Sequence, residues 1–164
     1  MSHSLPHSPS PTPSARDFRD ALSQFATGVT IITTKLEDGS FIGLTASSFN
    51  SVSLNPPLVL WSLSQAAQSL PIFTGNSHYV INILSTEQAH LAEKFSKQGE
   101  DRFKDLAYTL SPTGLPIISG VAAWFECHNR SRYPEGDHVI FVGEVETCDV
   151  KPQKPLIFHG GRLF

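Results

Sequence analysis

The sequence predicts a mainly β fold, a closed or nearly closed antiparallel barrel with a few peripheral helices. Three observations lead there. Apolar runs rich in β-branched and aromatic residues recur along the chain, and hairpin signals such as Asp38-Gly39 join most of them. Regular strand–helix–strand alternation is missing, which disfavours a doubly wound sheet. The 164 residues suffice for one domain with a sizeable core, and eleven phenylalanines are available to fill it.

Taken in order, residues 1–15 are rich in Ser, Pro and His with no apolar segment. They read as a flexible tail rather than a secretory signal, leaving 16–164 as the domain. Residues 17–26 place Phe18, Leu22 and Phe25 on one helical stripe, with Ser14 or Asp17 to cap the start and Gly28 to suit the end. Residues 29–34 are all β-branched and predict a strand, which 41–45 answer antiparallel across the Asp-Gly turn. A buried strand over 58–63, a short helix within 64–73 and a strand over 79–84 follow. Ser85-Thr86-Glu87-Gln88 is a capping box opening a helix to about Ser96, with Leu91 and Phe95 on one face. Residues 97–105 read as a surface loop, and 106–120 as one or two short extended pieces. Residues 121–128 and 138–147 form a long antiparallel pair, and 156–158 a last short strand.

Composition narrows the function. A net charge of −3 without a Lys/Arg cluster argues against a nucleic-acid partner. No apolar run approaches the roughly 18 residues of a membrane span. Cys127 and Cys148, the only cysteines, read as two buried reduced thiols, and a cytoplasmic protein follows.

The common catalytic signatures are missing: no G-x-G-x-x-G after a strand, no P-loop, no G-x-S-x-G elbow, and no His or Cys pair at zinc-site spacing. What remains is a run from Gly43 to Pro57, small and hydroxylated between two apolar stretches, and the turn Gly136-Asp137-His138. Short hydroxylated residues leave backbone N–H groups open to a ligand and add donors of their own. Composition alone favours a Ser/Thr-rich surface loop and a strand-edge His138 bonded to Asp137. It equally allows an Asn82 that is a polar strand residue bonding a neighbouring loop, and by default leaves Arg102 and Lys104 on a solvated face.

The order of the motifs is more specific than any one of them. Thr27-Gly28-Val29, then Gly-Leu-Thr-Ala-Ser-Ser-Phe-x-Ser-Val-Ser-Leu-x-Pro-Pro from Gly43, Asn82-Ile83-Leu84, Gly136-Asp137-His138 with Gly143-Glu144-Val145, and Pro155-Leu156 together resemble the flavin reductase family. These are small NAD(P)H:flavin oxidoreductases that supply two-component monooxygenases. The resemblance covers about residues 18–164. It implies an FMN-binding split barrel of Greek-key type, a homodimer with flavin near the subunit interface, and FMN or FAD with NADH or NADPH as cofactors. It also implies a flavin-dependent monooxygenase as partner, reached by diffusible reduced flavin.

By the same resemblance Thr45, Ala46, Ser47 and Ser48 contact the isoalloxazine edge, Ser51, Val52 and Ser53 the ribityl and phosphate region, and Thr27, Gly28 and Val29 lie near the ring. Ser62, Ser64 and Ser69 help hold the phosphate, Asn82 belongs to the binding set, Phe103 packs beside flavin or nicotinamide, and His138 lines the nicotinamide side as the catalytic-site residue. Ser47 stands where the family often has Asn, and Leu163-Phe164 follow Arg162 where a tyrosine is common. A lip without Arg or Lys predicts loose, exchangeable flavin. The alternative is a split-barrel protein holding FMN tightly as an oxidase or electron-transfer module.

Overall fold

The structure, a computed structural model, describes residue 8 and residues 10–99 and 101–164. Residues 1–7 and 9 of the expected tail lie outside the described residues, and Ser14 and Ala15 at its end already belong to the start of a helix. Helix α1 (Ala15–Ser23) begins where the Ser14 hydroxyl accepts from the Asp17 N–H at 3.1 Å. It ends at Gln24 rather than at Gly28. Its stripe of Phe18, Leu22 and Phe25 is exposed, Phe25 to 77%, so this amphipathic face is left largely uncovered by the described residues.

Strands β1 (Thr27–Gly28), β2 (Thr30–Lys35) and β3 (Phe41–Ala46) follow, then β4 (Asn50–Leu54) and β5 (Pro57–Ser64). The 43–57 run is therefore less of a loop than its composition suggests. Only 47–49 separate two strands, and Pro57 opens β5 opposite Leu54 instead of stopping the pairing. A proline at the first residue of a strand costs the ladder little. Helix α2 (Leu70–Gly75), β6 (His78–Ile83), a 3₁₀ turn (Thr86–Gln88) and α3 (Ala89–Ser96) come next. Half of the predicted Ser85/Gln88 capping box forms: Ser85 N–H donates to Gln88 Oε1 at 3.1 Å, while Gln88 N–H donates to the Ser85 carbonyl at 2.9 Å instead of to its hydroxyl. After β7 (Tyr108–Leu110) and β8 (Pro116–Ile118), the long pair β9 (Ala123–Glu135) and β10 (His138–Val150) turns on Gly136-Asp137 alone. The strands thus extend well beyond 128 and 147. The chain closes with β11 (Ile157–His159) and β12 (Arg162–Leu163), a hairpin on Gly160-Gly161.

The main sheet has seven antiparallel strands in the order β3-β2-β6-β9-β10-β5-β4. Its two edges are consecutive in sequence, and a chain of four residue steps from Ala46 to Asn50 spans at most roughly 14 Å. That tether curls the sheet, although no backbone ladder joins β3 to β4 among the described residues. The fold is mainly β with few helices.

Inside the curl, Trp61 stacks on Phe141 with ring centres 4.5 Å apart, and Phe73 and Tyr79 meet its edges. A Cβ on Gly143 would lie 2.6 Å from the Tyr79 hydroxyl oxygen, so glycine is what lets Tyr79 cross β10. A second core of Val29, Ile31, Leu84, Leu91, Phe95 and Leu156 lies beneath α3. Cys127 is buried, and burial pushes its thiol pKa up; Cys148 is exposed, contrary to the pairing of two buried thiols. Neither is in a disulfide.

Candidate functional site

Two adjoining cavities lie where the sheet edges approach. One, of about 580 Å³, is lined by Thr45 to Ser48, by Ser62 to Ser64 at the end of β5, and by Glu135, Asp137, His138 and Ile140 across the β9–β10 turn. The other, of about 630 Å³, runs along β3 to Ser69, Phe95, Arg102 and Phe103. Leu44, Thr45 and Leu63 line both, which makes one continuous groove. Each volume is within the roughly 300–1,000 Å³ usual for small-molecule clefts.

The hydroxyls of the lip divide into structural and open ones. Thr45 donates to the Ala92 carbonyl at 2.7 Å and so ties β3 to α3. The Ser48 Oγ accepts from the Ser62 N–H at 2.9 Å and thereby bridges the short 47–49 link to β5. The Ala46 carbonyl accepts from the Thr30 hydroxyl at 2.7 Å. By contrast, the backbone N–H groups of Ser47 and Ser48 and the hydroxyls of Ser47, Ser62 and Ser69 have no hydrogen-bond partner among the described residues. Open amide donors beside short hydroxyls suit an anionic or carbonyl-rich ligand and require no charged side chain.

At the turn, Asp137 and His138 form a pair, with Asp137 Oδ1 2.7 Å from His138 Nδ1. The hydrogen bond to His138, reinforced by its charge, holds the exposed Asp137 carboxyl below the usual carboxylate range. The turn is fixed to the end of β5, since Gln65 N–H donates to the Asp137 carbonyl at 2.9 Å and Gln65 Nε2 to the Gly136 carbonyl at 3.2 Å. His138 Nε2 has no hydrogen-bond partner among the described residues and its half-exposed ring faces the lip across the cavity.

The other end of the groove holds a cation that the sequence reading assigned to a solvated face. Arg102 Nη1 donates to the Gly43 carbonyl at 2.7 Å, and Nη2 to the Lys97 carbonyl. Partial burial lowers the pKa of its guanidinium. Phe103 beside it meets Phe95 edge-on at 5.3 Å and Phe41 at 5.8 Å. Gly43 makes room for this arrangement, because a Cβ there would lie 2.9 Å from the Phe95 ring. The sequence signal was available in retrospect: Arg102-Phe103 is the one cation–aromatic step in an otherwise polar loop.

The groove thus gathers Thr45, Ala46, Ser47, Ser48, Ser62, Ser64, Ser69, Phe103 and His138. Neither cavity is lined by Thr27, Gly28, Val29, Ser51, Val52, Ser53 or Asn82. Val29 is core. Thr27 and Gly28 pair with β11, and Ser51 and Val52 are exposed on the edge strand β4. Asn82 is fully buried, its amide donating to the Ile31 carbonyl at 3.1 Å and accepting from Ile118 N–H at 2.9 Å. It is a polar strand residue, as one reading had it, but its partners belong to the strands β2 and β8 rather than to a neighbouring loop.

A mainly β domain whose groove carries open amide donors and short hydroxyls suits a polar organic ligand. The family model described as "Flavin reductase like domain" matches residues 22–164, and the chain belongs to that family. It is 42% identical over 147 residues to the FMN reductase (NADH) SmoA of Agrobacterium fabrum, covering 90% of this chain and 83% of that protein. It is 43% identical to the reductase component of the flavin-dependent trigonelline monooxygenase of Acinetobacter baylyi over 91% of this chain, although it spans only 48% of that relative. Among solved structures, the Streptomyces globisporus NADH:FAD oxidoreductase SgcE6 in complex with NAD and FAD fragments superposes with a TM-score of 0.87 at 34% identity, over 96% of each chain.

Proposed function

We propose that the chain is an NAD(P)H:flavin oxidoreductase that reduces FMN or FAD and releases the reduced flavin to a separate monooxygenase component. The observation carrying this reading is the groove: open amides of Ser47 and Ser48 face His138 across one cavity, and Arg102 and Phe103 line the next. A flavin fits this donor set. Bound there, it supplies the acceptor for a hydride from the nicotinamide.

The chain's own contribution is binding and orientation. The Ser47 and Ser48 amides, with the Ser47 and Ser62 hydroxyls, offer donors where negative charge develops on reduction, a pre-organised arrangement that needs no proton transfer. Ser69 and Arg102 are suited to a phosphate. Phe103 supplies an aromatic face, and His138, positioned by Asp137, borders the nicotinamide side. The groove is open to solvent, as the exchange of a diffusible product requires.

The split-barrel reading gains support from the curl that the 47–49 link imposes. A homodimer gains support from the exposed Phe18, Leu22 and Phe25 together with Val52 and Leu54, the last 95% exposed. A second copy over these faces would cover β4 and bring Ser51 to Ser53 against a partner. We place the domain from the α1 cap Ser14 onward, a little earlier than residue 16, with the tail before it, and the protein in the cytoplasm. No helix among the described residues is long and apolar enough to cross a membrane.

Mixing the protein with NADH or NADPH and excess FMN or FAD tests the proposal by loss of the reduced-nicotinamide absorbance. Consumption no faster than without protein defeats it. Arg102 favours one second reading, a tightly held FMN in an oxidase or electron-transfer module. A yellow cofactor surviving dialysis without steady-state NAD(P)H oxidation selects that alternative.

A further inference from the structure

On the outer face of the sheet, away from the groove, three side chains from three strands converge. His78 opens β6, His128 is its register partner on β9, and Glu146 lies on β10. One ligand atom from each lies within 4.8 Å of the others. We propose that His78, His128 and Glu146 form a binding site for a divalent first-row transition cation, represented by Zn²⁺, with water completing the coordination.

The sequence spacing hides this set, since 50 residues separate the histidines and 18 separate His128 from the glutamate. The fold produces it through a bulge. Val145 pairs with Cys127 and Thr147 with Glu126, so Glu146 has no partner on β9 and its carboxylate turns toward His78. Glu146 Oε1 lies 2.8 Å from His78 Nε2. Tetrahedral zinc with bonds of about 2.0–2.1 Å separates its donors by roughly 3.3 Å, so a small rotamer adjustment admits the ion between them.

Two further features prepare the site. Ser77 Oγ lies 2.9 Å from His78 Nδ1, a contact that fixes the ring and leaves Nε2 directed at Glu146. Asn129 ties the Ser77–His78 segment to β9, with its N–H donating to the Ser77 carbonyl at 2.8 Å and its Nδ2 to the Phe73 and Asn76 carbonyls. A plain His78–Glu146 ion pair would not require His128, whose ring lies 5.5 Å from that of His78 and has no hydrogen-bond partner among the described residues. Two imidazoles and one carboxylate favour borderline cations over Mg²⁺.

The test is calorimetric titration of the chelator-treated full chain with ZnCl₂. We expect one saturable Zn²⁺ per chain, at least tenfold weaker binding in both His128→Ala and Glu146→Gln, and no competition from Mg²⁺. Co²⁺ should give the visible absorption of a four-coordinate site in the wild type and lose it in His128→Ala. Because the His128 ring makes no hydrogen bond, that variant should melt as the metal-free wild type does, and Zn²⁺ should raise the melting temperature of the wild type only. No saturable binding, equal competition by Mg²⁺, or affinities within twofold of wild type in both variants would overturn the site.

Discussion

At one end of the groove, the polar donors come mainly from one short run, Ala46 to Ser48, with Ser62 beside it, faced by Asp137 and His138 of the β9–β10 turn. At the other, Ser69, Arg102 and Phe103 come from two separate loops and meet only because α3 and its following segment lie over β3. The first end sets neutral donors at strand termini opposite the Asp137–His138 pair. The second is a cation and an aromatic ring packed on Phe95. Local hydroxyl content marks a site directly, whereas a loop arginine becomes part of one through tertiary packing alone.

Four variants separate the two ends. Arg102→Ala should have the largest effect, because it removes a charged donor worth about 1.5–3 kcal/mol. We expect flavin affinity to fall roughly 10- to 100-fold by fluorescence titration. A change under twofold would return Arg102 to the solvated face. Ser48→Ala leaves the Ser62 N–H without its acceptor and should lower stability by about 1 kcal/mol, read from denaturant midpoints. Unchanged stability would show that the 47–49 link does not depend on that bridge.

His138→Ala should raise the KM for NAD(P)H several-fold, by about 1 kcal/mol or less, while leaving flavin affinity near wild type. An equal loss in both would merge the two ends functionally. The smallest effect belongs to Asp137→Asn. Since the folded Asp137 carboxyl titrates below its ordinary value near 3.9, its contribution is present above that pH and is lost as acid passes through the lowered pKa. Melting curves of wild type and Asp137→Asn should therefore differ slightly at neutral pH and converge in acid.

Most strands and two of their pairings, 29–34 with 41–45 and 121–128 with 138–147, were legible because β-branched runs and the Asp-Gly turn encode them locally. Strand β4 inside the hydroxylated run was not, nor was the long-range pairing of β2 with β6, β6 with β9 and β5 with β10. The extent of β9 and β10 was not: Arg130 to Glu135 look like loop residues but are strand because β10 extends opposite them. The stripe of α1 was read correctly as apolar, yet its exposure depends on what packs nearby rather than on its period. The motif order singled out Ser47, Ser48 and His138, which the fold brings to one cavity. Asn82 could not be located from its residue type, because a buried amide bonding backbone and an amide facing a ligand look alike in sequence.

The β9–β10 turn also has a consequence for how the protein comes into being. Gln65 bonds to Gly136 across 71 residues of chain, and β5 lies beside β10 along its length. During synthesis β5 therefore emerges long before the strand that covers its inner edge, and loop closure over that distance is slow relative to the local β9–β10 hairpin. The groove is accordingly among the last features to assemble, and a chain stalled before that step presents the apolar Leu58–Leu63 edge to its neighbours.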